Sequence, residues 1–150
     1  MESKPQFFRY AFGMYLSLVV YFFLIKILGF EMVTELRLFN FIIMLIGLHR
    51  LIKTNMALNT TSYFSNLFLG FRAAALTIVM IIVSLFVYVT WIDPSFLVVL
   101  EHSLGWGKNL EVPQILAAIA IEGLSSSFLL SYIIMQFMKS YRLKPTTDSQ

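Results

Sequence analysis

The chain contains no cysteine, so no disulfide or thiolate metal site can form and cysteine usage reports no redox compartment. Charge is scarce as well. Asp, Glu, Lys and Arg make up 13% of 150 residues, hydrophobic residues make up 59%, and mean hydropathy is +0.80. Soluble domains average about 25% charged and roughly 45–50% apolar residues. So few charged side chains could not cover a water-exposed surface of this size, which implies that the surrounding solvent is largely lipid. Sequence motifs that carry chemistry are missing too: there is no HExxH, no Gly-rich phosphate loop and no nucleophile elbow. His49 and His102 are expected on opposite sides of the membrane, so they cannot share a metal. The composition implies no cofactor and no enzyme, and a net charge of +3 is too small to indicate a nucleic-acid partner.

What is present is a set of long apolar runs. Spans are expected over about 8–30, 36–53, 67–92 and 113–138. Together they give an all-α, integral-membrane four-transmembrane-helix bundle as one domain over 1–144, followed by a polar tail at 145–150. The first run is too long for a secretory leader, whose apolar core is about 7–15 residues, so an uncleaved span is expected. The second, Leu36 to about Leu51, barely crosses a hydrocarbon core of about 30 Å at about 1.5 Å per residue, and snorkelling by Arg37 and Arg50 would help it do so. A polar linker, TNMALNTTS, follows over Thr54 to Ser62. Asp93-Pro94 ends the third run and reads as an N-cap with proline at the first helical position. It should open a short amphipathic helix at the membrane surface, Ser95 to Leu104, between spans three and four.

Charge placement orients the bundle. Four spans put both chain ends on one side, together with Lys4, Arg9, Arg50, Lys53, Arg72, Lys139, Arg142 and Lys144, eight of the 11 basic residues. The other side holds Arg37 and Lys108, with five of the eight acids: Glu31, Glu35, Asp93, Glu101 and Glu111. Lys and Arg near span ends mark the cytoplasmic side. Both termini are therefore expected in the cytoplasm, in the inner membrane of a bacterium. Arg72, Lys139, Arg142 and Lys144 are expected among lipid headgroups.

Within lipid, small residues allow helices to approach closely. Candidate packing stripes are Gly13 and Ser17 in the first span, Gly47 in the second, Gly70 and Ala74 in the third, and Gly123, Ser127 and Ser131 in the fourth. They are expected to form the internal seam; the alternative is an interface with another subunit. One carboxylate, Glu122, lies well inside the fourth run, about 13 Å below the far surface. Ionised and unpaired there, it would cost at least about 2.5–3.5 kcal/mol. Ser125 and Ser126 share its helix face at i+3 and i+4. Lys26 and Asn40 fall in the same half of the bilayer. A buried polar cluster of Glu122, Lys26, Asn40, Ser125 and Ser126 is expected, with Tyr88 a candidate further member. Its structural role would be to fix helix register, and its functional role a proton or ion relay or a partner's docking point.

The order HRLIK, polar linker, YFSNLFLGFRAAAL, then WIDPSFL ahead of a short helix and a last span resembles the DUF4199 family of small four-span proteins, found largely in Bacteroidota. Gly70-Phe71 and Asp93 to Phe96 carry the resemblance. It implies residence in the inner membrane and no catalytic activity. The function expected is that of a non-catalytic accessory or structural subunit of a larger membrane complex. Its partners would be the bilayer and a membrane protein, or further copies of the chain. The alternative is a small proton- or ion-coupled transporter or channel using Glu122.

Overall fold

The computed structural model of the chain describes residues 4–30, 34–58, 62–104 and 110–142. Those residues are all-helical. Helix α1 covers Lys4–Ile27, α2 Arg37–Leu58, α3 Tyr63–Val87, α4 Phe96–Leu104 and α5 Val112–Arg142. A 3-10 turn, Thr34–Leu36, precedes α2, and a π turn, Tyr88–Ile92, extends α3. The segments at 6–27, 63–92 and 112–138 are long and apolar enough to cross a membrane. α2 has 22 residues, about 33 Å at 1.5 Å per residue. It falls outside that set, and His49, Arg50 and Lys53 break its apolar character. The polar tail at 145–150 lies outside the described residues.

Helix ends differ from the expected ones for local reasons. α1 stops at Ile27, short of Phe30, because Gly29 adopts φ +72°. Its N–H donates to the Lys26 carbonyl, and the Phe30 N–H to that of Ile25, both at 3.1 Å. This is the Schellman cap, which favours glycine because a Cβ is strained in the left-handed region. α2 runs through Leu58, so the first half of the expected linker at 54–62 is helical. Its polar residues have partners there. Thr54 and Tyr10 share a hydroxyl hydrogen bond of 3.0 Å, and the buried Asn55 amide donates to Asn66 Oδ1 at 2.7 Å. Asn66 is fully buried and also donates to the Ser62 carbonyl.

α3 is the central element and packs on α1, α2 and α5; α2 also packs on α1 and α5, and α4 lies on α5. The start of α1 meets the end of α2, and Gln136 near the end of α5 donates to the Tyr63 hydroxyl at the start of α3. One apolar core lies at this end, built from Met14, Leu48, Ile52, Leu67, Ala74 and Ile134 among others. A second, at the opposite end, joins Tyr88, Val89, Phe96, Leu100, Ile115 and Ala118.

Small residues are used unevenly. Gly70 and Ala74 on α3 face Ser127 and Ser131 on α5, and all four are buried. A methyl group on Gly70 would meet Ile52 Cδ1 and Ser131 Oγ, each at 3.0 Å, and one on Gly123 would meet Ile78 at 3.2 Å. A Cβ on Gly47 would collide with the Met14 side chain. The stripe expected on α1 is corrected. Gly13 and Ser17 are exposed, and nothing lies within 4 Å of where a Gly13 Cβ would stand. At about 100° per residue they sit about 110° round the helix from the face that is buried, Ala11, Met14 and Leu18. The close approach of α1 to α3 is made instead at Ala11, whose carbonyl accepts from Thr77 Oγ1 at 3.2 Å.

Candidate functional site

The described residues bring Lys26, Tyr88 and Asp93 together at the end of the bundle where α1 finishes. Lys26 occupies the last turn of α1, where the helix dipole favours a cation. Tyr88 and Asp93 are brought to it by the π turn. In a regular α-helix, residues five apart point about 140° away from each other. Here the Asp93 N–H donates to the Tyr88 carbonyl at 2.9 Å, an i→i−5 bond, and both side chains face Lys26. The ammonium donates to the Tyr88 hydroxyl oxygen and to Asp93 Oδ2, the latter at 2.7 Å. Such π turns are rare and recur at functional sites.

Three rings surround the charge. Phe22, Tyr88 and Phe96 meet edge to face with centroids 5.2–5.5 Å apart, the arrangement that ring quadrupoles favour. Lys26 Nζ is 5.8 Å from the Phe96 ring centroid, within cation–π range, while it meets Tyr88 at its hydroxyl and not over its ring. Asp93 also accepts from the Ser95 hydroxyl. The Lys26 ammonium first, then Ser95, hold the Asp93 carboxyl below its ordinary value near 3.8. Asp93 thus does more than open α4, the role its place before a proline suggests. In sequence the acid that pairs with Lys26 was visible as one of the five on the far side and as the cap before Pro94, not as a partner for a lysine.

Below this triad a cavity of about 580 Å³ lies among α1, α2, α3 and α5, with Phe96, Val99 and Leu100 of α4 at its upper end. Lys26, Asn40, Ser84, Tyr88, Ser126 and Ser127 contribute polar atoms to a lining that is otherwise mostly apolar. Ser84 shares a 2.7 Å hydrogen bond with Tyr15, and the Ser127 hydroxyl donates to the Gly123 carbonyl at 2.7 Å.

The expected buried cluster is corrected in its centre. Glu122, Asn40 and Ser125 are exposed, and Ser126 is half-buried. The reason lies in α5, whose buried face changes along its length. Its first turns bury Ile115 and Ala118 in the core that includes α4, and its later turns bury Ser127, Ser131 and Ile134. Glu122 follows Ala118 by one turn on the first face and emerges past the residues that join that core. The carboxylate bonded to Lys26 is Asp93, while Asn40 and Ser126 remain with Lys26 as walls of one cavity. Arg72 is exposed; the side chains of Lys139 and Arg142, and all of Lys144, lie outside the described residues. Among the described residues no three of His, Asp and Glu gather closely enough to hold a metal ion.

No family model, curated protein or solved structure matches the chain.

Proposed function

We propose that the chain is a four-span, non-catalytic protein of a bacterial inner membrane, with both ends cytoplasmic, and that it serves as an accessory subunit of a larger membrane assembly. The observation that carries this reading is the outer face of α1. Phe8, Phe12, Leu16, Val20, Phe23 and Ile27, three or four residues apart, form one apolar strip along the helix, and each is 44–84% exposed. A monomer in water rarely leaves so long an apolar strip uncovered, whereas lipid or a neighbouring span covers it without cost. α2 completes the fourth crossing: its 22 residues reach about 33 Å against a hydrocarbon core of about 30 Å, and exposed Lys53, in its last turns, extends its stem towards the headgroups.

The test is in-cell crosslinking at native expression. A photoreactive residue at Leu16, on the strip, is compared with one at Leu48, which is buried. The expected result is a discrete adduct from Leu16 to another membrane protein, co-purifying in mild detergent, and none from Leu48. Adducts from Leu16 to lipid alone would contradict the accessory role.

A further inference from the structure

We propose that the cavity among α1, α2, α3 and α5 binds one neutral single-chain amphiphile drawn from the bilayer, with its uncharged head at the Lys26–Tyr88 end and its chain along the apolar walls. This rests on the membrane reading above. A volume of about 580 Å³ falls within the roughly 300–1,000 Å³ of sites for drug-sized ligands, which suits one chain with a small head. The walls are mainly apolar, with Leu18, Phe22, Met44, Ile78, Ile119 and Leu130 among them. Few polar side chains interrupt them, the pattern of a site that orients an otherwise apolar ligand.

The charge at the polar end selects a neutral head. Lys26 is matched by Asp93 at 2.7 Å. An anionic head approaching Lys26 would stand against the Asp93 carboxylate, and a cationic one against the ammonium; like charges that close repel. A hydroxyl or ester oxygen meets neither penalty. An ammonium has three donors, and two are directed at Tyr88 and Asp93. The third, with the Asn40 amide on the same cavity wall, suits a head rich in acceptor oxygens.

The experiment places the full chain in lipid nanodiscs and adds a monoacylglycerol carrying a diazirine in its chain, or the fatty acid of the same chain. Adducts are mapped by peptide mass spectrometry. With the monoacylglycerol, adducts are expected on the wall residues, such as Met44, Ile78 and Leu130. Ser126→Phe, which puts a ring into the path of the chain, should lower them at least five-fold, while Ser125→Phe, next to it but exposed, should leave them unchanged. The fatty acid should label the walls at least five-fold more weakly than the monoacylglycerol. If Ser126→Phe loses its helical circular dichroism, Asn40→Leu decides the matter through a several-fold fall in wall labelling. Wall labelling unchanged in the folded variants, absent from the wild type, or as strong with the fatty acid would overturn the proposal. Adducts at Leu16 report membrane residence separately, so their presence without wall adducts sinks the ligand site alone.

Discussion

Glycine to alanine at two positions of the bundle isolates what close packing contributes. Gly70 lies in the α3–α5 seam, where an added methyl group would meet Ile52 Cδ1 and Ser131 Oγ at 3.0 Å. Carbon atoms prefer about 3.5–4.0 Å, so the methyl intrudes by about 0.5–1 Å, and overpacking of this kind costs about 1–3 kcal/mol. Gly13 is also helical, but its methyl would meet nothing within 4 Å. Both substitutions gain about 0.8–1.0 kcal/mol of helix propensity, and that gain cancels in their difference. Gly70→Ala should therefore be less stable than Gly13→Ala by about 1–3 kcal/mol. Unfolding of the two variants in mixed micelles by a rising fraction of denaturing detergent, followed by circular dichroism, measures that difference. Adding Ser131→Ala removes one of the two tight contacts, so the Gly70→Ala cost should fall by roughly half in that background. Equal stability of the two alanine variants, or no coupling to Ser131, would refute the seam.

Other perturbations address separate parts of the fold. The buried Ser131 hydroxyl has no hydrogen-bond partner among the described residues, so Ser131→Ala alone should stabilise the bundle by about 1 kcal/mol in the same assay. Asn66→Leu removes the acceptor of the Asn55 amide and should destabilise by about 1–3 kcal/mol, with α2 losing protection from hydrogen exchange beyond Lys53 first. The folded Asp93 carboxyl titrates below its ordinary value near 3.8. Its pairing with Lys26 therefore stabilises fully above that value and is lost as pH falls through the lower folded one. The difference in melting temperature between wild type and Asp93→Asn should hold steady from pH 7 to 5 and shrink towards zero below about pH 4; a difference that persists at the lowest pH would contradict the pairing.

Much of the helical architecture was legible because it depends on one-dimensional quantities. Length, apolar content and the Asp-Pro stop mark the three long helices and the short one after them. Rotation about a helix axis is harder to read. Gly13 and Ser17 have the spacing of a packing stripe, but Ala11, Met14 and Leu18 have it as well, and the bulkier set is the one that packs. Depth counting ranked Glu122 beside Lys26 because it measures height along the axis and ignores facing. It could not register the π turn, whose extra residue per turn carries Asp93 round to the side of Tyr88. Nor could it register that α5 changes its buried face near Glu122. The polar look of Thr54 and Asn55 concealed a helical end, since their partners, Tyr10 and Asn66, are distant in sequence.

The central claim is that α2 is a crossing, so that successive connections alternate between the two sides. The absence of cysteine makes single-cysteine labelling the most direct test. Glu35→Cys before α2, Ala57→Cys near its end and Glu111→Cys before α5 are all exposed positions and can be probed with a membrane-impermeant maleimide in spheroplasts. Glu35→Cys and Glu111→Cys should label in intact spheroplasts, and Ala57→Cys only after lysis. Labelling of positions 35 and 57 from the same side would leave α2 uncrossed and contradict the four-span reading.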